Sequence, residues 1–233
     1  MASVINLPLF YLLFVFGFTS INGQSQEVSQ LENYFYRTCL KYSGSTEPFN
    51  KLRADFYEMY EYFKVSSQLL PVRKKDFCKD DVPRLITRIK NVETDMKACL
   101  PHNDTSQAVF IKESLIEFLR FLCDKVQTRL FSSEVTMCRE KIESSPSQEL
   151  DYCLNRIFPP TNGLLTKKDL CDDLSIARKC VALLLEQQCP SSQLTKDLNQ
   201  EFFSHLEKPC NGCGYLSLNI SSLILLLLVH FLK

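Results

Sequence analysis

The stretch from Ser106 to Phe131, SQAVFIKESLIEFLRFLCDKVQTRLF, constrains the fold more than any other part of the chain. Ile111, Leu115, Phe118, Leu119, Leu122, Val126 and Leu130 recur at steps of three and four, the period of a helix with a wide apolar face. At a rise of about 1.5 Å per residue it is roughly 39 Å long, enough to cross a small domain. Other helices must wrap it. Cys123 lies among these apolar residues, which makes the central helix an expected disulfide anchor.

Flanking segments repeat the same period. Val28, Leu31, Phe35 and Cys39 form one side of a helix over 26–42 that Gly44 ends. Thr46 is placed to cap the next, with Glu47 and Pro48 in its first turn and Phe49, Leu52, Phe56, Met59 and Phe63 on its core face. Tyr57, Tyr60 and Tyr62 fall off that stripe and suit a second helix contact or the rim of the core, with an aromatic binding surface as the alternative. The basic stretch from Pro71 to Lys79 reads as a loop, after which Asp81 caps a helix carrying Leu85, Ile89, Val92, Met96 and Leu100. Beyond the central helix come a short one with Val135, Cys138 and Ile142, and another started by Ser145 and Pro146 with Leu150, Cys153, Leu154 and Ile157. A longer helix follows Thr166, with Leu170, Leu174, Ala177, Val181 and Leu184 inside, and the last spans about 192–207 with Leu194, Leu198, Phe202 and Leu206. The pattern predicts an all-α fold, a single disulfide-rich domain of about eight helices around a long central helix. With only 6 Gly but 17 Phe, it suits packed helices rather than a turn-rich sheet.

Both ends read as processing signals. Residues 1–23 contain the apolar run from Leu9 to Phe18 followed by small and polar residues, the form of a secretory signal peptide cleaved after Gly23. Residues 211–233 place small residues around Asn211 and Gly212, then a spacer from Tyr215 to Ser222, then an apolar tail from Leu223 to Leu232. That order is a GPI-attachment signal, with Asn211 or Gly212 as the attachment residue, and a single-pass span is the alternative. The expected ectodomain, residues 24–210, then carries 26 basic against 27 acidic residues once Lys233 is removed from the 27. So even a balance gives no drive toward nucleic acid. Asn103-Asp-Thr is a glycosylation sequon in an interhelical loop.

The 11 cysteines are an odd number, and loss of Cys213 with the tail leaves ten for five disulfides: Cys39, Cys78, Cys99, Cys123, Cys138, Cys153, Cys171, Cys180, Cys189 and Cys210. Cys78 with Cys99, and Cys189 with Cys210, bracket whole helices and lie too far apart for a bond that needs α-carbons within about 7 Å. Cys171, Cys180 and Cys189 are spaced so that the middle one faces away from the outer two, and each needs a separate neighbour. Cys138 and Cys153 are nearly equidistant from the turn at 144–146, which makes them an expected pair across a hairpin.

The segments ESLIEFLRFLC ending at Cys123, Asp151-Tyr-Cys-Leu-Asn155, Leu170-Cys-Asp-Asp-Leu174, Arg178-Lys-Cys180 and Glu207-Lys-Pro-Cys210 give the chain its resemblance to the insect 27 kDa haemolymph glycoprotein family. The likeness runs from Cys39 to Cys210 and lies in cysteine placement and helix pattern. It implies a secreted, helical, disulfide-rich glycoprotein and brings no defined reaction or ligand. The hydrophobic tail departs from a circulating protein and points to the cell surface.

No HExxH, GxSxG, phosphate-loop or dinucleotide-binding pattern occurs. His102 and His205 are the histidines of the expected ectodomain, one in the sequon loop and one on the last helix, and neither is placed for catalysis. Asp80-Asp81 and Asp172-Asp173 suit helix starts better than metal ligation, because adjacent helical residues diverge. A non-enzymatic chain is expected, with no catalytic residue, metal or cofactor. Its expected role is a GPI-anchored binding module for an extracellular protein; the alternative is a carrier of a small apolar or lipid ligand in a helical cavity.

Overall fold

The computed structural model describes residues 30–67, 70, 72–102, 104–124, 127–144 and 164–211. The signal peptide, Asn103, the helix expected after Ser145 with Cys153, Gly212 and the tail lie outside the described residues.

Among the described residues the secondary structure is helical throughout, as the periodicity requires. Helix α1 (Gln30–Ser43) ends at Gly44, whose φ of 74° is the left-handed conformation favoured by glycine and whose N–H bonds the Leu40 carbonyl at 3.1 Å. Helix α2 (Glu47–Ser67) buries Phe49, Leu52, Met59 and Phe63, and also Tyr60. Tyr57 is exposed and Tyr62 points instead to Asp81, so the three tyrosines diverge and form no common surface.

The basic stretch before α3 departs from the expected loop. A helical turn (Lys74–Asp76) and a π-helical turn (Phe77–Asp81) run directly into α3 (Val82–Ala98). Asp81 makes no side-chain cap, because the helix already continues through it and its carboxylate accepts the Tyr62 hydroxyl at 2.7 Å. The extra residue of the π turn accompanies burial of Phe77, 1% exposed, and attachment of Cys78 to Cys123.

Helix α4 (Ser106–Cys123) is the central element, but it stops short of Phe131. Asp124 turns to an extended conformation (φ −72°, ψ −158°), and its carbonyl accepts Lys74 Nζ at 3.3 Å rather than continuing the helical ladder. Eighteen residues remain, about 27 Å of helix. Two thirds of α4 is buried, including Phe110, Ile111, Leu115, Phe118, Leu119, Phe121 and Leu122, so its apolar face wraps most of its circumference. A short turn α5 (Gln127–Leu130) and helix α6 (Ser133–Ser144) follow. Helix α7 (Lys167–Gln188) opens with a capping box, Thr166 accepting from the Asp169 N–H while Asp169 accepts from that of Thr166. Helix α8 (Gln193–Leu206) and a last turn α9 (Lys208–Asn211) complete the order.

Packing runs as a series: α1 and α3 on α2, α3 on α4, α4 on α8, and α8 on α7 and α6. Helix α4 is therefore the wall shared by an N-terminal group (α1–α3) and a C-terminal group (α5–α9). Aromatic rings cross that wall, Phe63 of α2 against Phe118 of α4 at 5.8 Å and Phe118 against Phe202 of α8 at 6.0 Å.

Four disulfides staple the groups separately. Cys39–Cys99 and Cys78–Cys123 close the first, and Cys138–Cys189 and Cys171–Cys210 close the second. Cys138 and Cys153 were the expected pair; the structure instead joins Cys138 of α6 to Cys189 at the end of α7, with α-carbons 5.7 Å apart. Packing of α6 against α7 brings Cys189 to Cys138, a contact that distance from the 144–146 turn does not reveal. The pairs ruled out on helix length, Cys78 with Cys99 and Cys189 with Cys210, do not occur.

Each bond closes a loop of 39 to 60 residues, for which chain entropy gives about 4 kcal/mol. Replacing Cys39 and Cys99 together by alanine leaves no free thiol, and should lower the urea-unfolding free energy by roughly 2–5 kcal/mol with the helical circular dichroism unchanged. An unchanged midpoint would show that the α1–α3 contacts alone fix the first group.

Candidate functional site

Polar groups on α4 gather at Glu117, between the apolar neighbours Ile116 and Phe118. Its side chain is 8% exposed, yet it meets three cations or potential cations. Arg120, one turn along, bonds one carboxylate oxygen, while Lys208 Nζ lies 2.5 Å and His205 Nδ1 3.3 Å from the other. His205 also packs on the Phe121 ring at 5.7 Å. Burial pushes the Glu117 carboxyl up, but the Lys208 and Arg120 hydrogen bonds outweigh it and hold the group below the usual carboxylate range. With Cys210 bonded to Cys171, the cluster fixes α9 to α4 and α7. The next residue, Asn211, is exposed at the end of α9.

A second polar cluster joins α2 and α3. Asp95 is 4% exposed; one oxygen receives Lys51 Nζ and the other finds no donor, while Lys51 also reaches Asp55 at 3.4 Å. Burial and then the Asp55 carboxyl push Asp95 up, and Lys51 only partly opposes them. A third polar contact bridges the two groups: Tyr34 donates to Gln107 Oε1 at 2.9 Å and accepts the Leu165 N–H at 3.1 Å.

The expected histidines are not brought together. His102 is exposed in the loop before α4, while His205 sits about three turns up that helix against Glu117. Asp81 serves Tyr62 and Asp172 serves Lys168, so the paired acids converge on no common point. No group of His, Cys, Asp or Glu among the described residues could hold a metal ion. Glu117 and Asp95 were missed in the sequence because an acid at helical spacing reads as a solvated face. On α4 Glu117 has Ile116, Phe118 and Phe121 on one side but Glu113, Ser114 and Arg120 one turn away on the other, so its burial is not marked by spacing alone.

An apolar cavity lies between α4, α6, α7 and α8, bounded by Phe121, Val135, Ile142, Leu185, Leu198 and Phe202, with Arg139, Thr195 and Asn199 at its polar edge. It holds about 50 Å³. That is about a third of the roughly 150 Å³ of a cavity known to hold benzene. Exposed large apolar side chains are scattered over α1 (Tyr36, Leu40, Tyr42), α2 (Tyr57, Val65), Val72 before α3, α4 (Val109), α6 (Met137) and α7 (Leu183). Among the described residues no helix is long and apolar enough to cross a membrane. No protein-family model matches the sequence, and no curated protein or solved structure matches it either.

The two buried acids have opposite pH signatures. The depressed Glu117 contributes stability that is present above the unfolded value of about 4.3 and is lost as the pH falls through its lower folded value. Because Lys208 and Arg120 are half or more in water, Glu117→Gln should cost only about 1–3 kcal/mol at pH 7, and less as the pH drops below about 4. Asp95, raised when folded, works the other way: stability falls as the pH rises from about 3.9 through its folded value. Asp95→Asn should remove that decline and leave the protein at pH 7 at least as stable. Urea midpoints of both variants from pH 3 to 8 check this, and parallel curves for the two would contradict it.

Proposed function

We propose that this chain is a non-enzymatic extracellular glycoprotein, held at the cell surface by a GPI anchor, whose helical domain acts as a binding module for another protein. The way the chain leaves the domain carries this reading. Cys210 is covalently tied to α7, Lys208 is bonded to Glu117, and Asn211 immediately beyond them is exposed. A transamidation at Asn211 needs an accessible backbone, which its exposure provides.

Two further observations support it. All nine described cysteines are in disulfides, the state of a chain made in an oxidising compartment. The sequon at Asn103 and the hydrophobic tail belong to the same secretory route, and the resemblance to haemolymph glycoproteins is carried here as part of the proposal.

Full-length protein expressed in insect cells should be displayed on the surface and released by phosphatidylinositol-specific phospholipase C, with an ethanolamine-bearing C-terminus at Asn211 or Gly212. Retention after treatment, with Cys213 still attached, would assign the tail to a membrane span and overturn the anchor.

A further inference from the structure

The four disulfides above use eight of the nine described cysteines, and the ninth, Cys180 on α7, is disulfide-bonded as well. Of the chain's 11 cysteines only Cys153 and Cys213 remain to serve it. Chain direction and reach separate the two.

Cys213 follows α9, whose course along α7 is fixed at two points. Glu207 meets Arg178 at 2.9 Å, and three residues later Cys210 is bonded to Cys171 with α-carbons 5.8 Å apart. The chain is thus running toward the start of α7, away from Cys180, as it approaches Cys213. Cys171 and Cys180 are nine residues apart on one helix, about 13.5 Å along the axis and half a turn around it, so Cys210 and Cys180 lie on opposite sides of α7. Three residues span at most about 11 Å, and a helix roughly 10 Å thick stands across the direct path.

Cys153 has no such obstacle. It lies between Ser144, the end of α6, and Leu164, which directly precedes the α7 cap, and α6 is itself bonded to the end of α7 through Cys138–Cys189. Nine and eleven residues of chain reach about 30 Å or more from either end, enough to bring Cys153 to any point along the 22 residues of α7.

We infer that Cys180 is bonded to Cys153, and that Cys213 is the odd thiol of the precursor. Two thiols lose two protons and two electrons to an oxidised thiol–disulfide exchange protein of the secretory pathway, which leaves as the dithiol. The pairing does not depend on the anchor; only the fate of Cys213, discarded with the tail after attachment at Asn211, rests on the function proposed above.

The test is non-reducing peptide mapping of full-length protein from insect cells, alkylated before digestion. The expected result is a Cys153–Cys180 linked peptide, with Cys213 alkylated in any chain that keeps its tail. Cys153→Ser should expose Cys180 to the alkylating reagent, whereas Cys213→Ser should leave Cys180 protected. A Cys180–Cys213 peptide, or Cys180 alkylated in the unmodified protein, overturns the pairing. Neither readout requires a lipid anchor, so a chain that resists phospholipase can still show the bond.

Discussion

The burial of α4 from both sides is the constraint on which the rest depends. A helix with polar residues along half its surface packs into one layer; α4 has too little polar surface for that, and only two groups of helices can cover it. Phe118 shows the consequence at one residue, 1% exposed with Phe63 on one flank and Phe202 on the other. None of the four disulfides between described cysteines joins the N-terminal group to the C-terminal one. Each staple stabilises its own group, and the union of the two is left to the apolar surface of α4 and a few polar contacts across it.

Those polar contacts add direction to a surface that otherwise has little. Apolar packing tolerates sliding, whereas a buried carboxylate left without cations is costly. Glu117 meets that cost when α9 places Lys208 beside it, and the Tyr34 hydroxyl serves the Gln107 Oε1 and the Leu165 N–H at once. These contacts reward one register of the C-terminal group on α4. The same arrangement holds α9, and with it the exposed Asn211, against α4 and α7.

Much of this was legible in the sequence because helical period is a local signal. The core faces of α2, α3, α7 and α8 follow the three-and-four spacing nearly residue for residue, and Gly44 ends α1 as its lack of a side chain allows. The departures are all non-local. Helix α4 stops at Cys123, where Asp124 turns extended and its carbonyl meets Lys74 from before α3, and the stretch after Arg73 is helical, with Phe77 buried and Cys78 bonded across to α4. Cys138 finds Cys189 rather than Cys153 because α6 packs on α7. Spacing alone could exclude pairs held apart by a rigid helix, but choosing among the rest needed the order in which the helices pack. Glu117 was hidden for a related reason: its chemistry depends on Lys208 and His205, about ninety residues away in the chain.

If α4 is the shared wall, the two groups cannot come apart without exposing it, and the domain must open as one unit despite its separately stapled halves. Native-state hydrogen exchange tests this most directly. The account predicts that the amides from Leu115 to Leu122 exchange only through global unfolding, with the same free energy and denaturant dependence as the cores of α3 and α8. Exchange of α4 amides through a smaller opening, with either group remaining protected, would show that the halves separate and contradict the central place given to this helix.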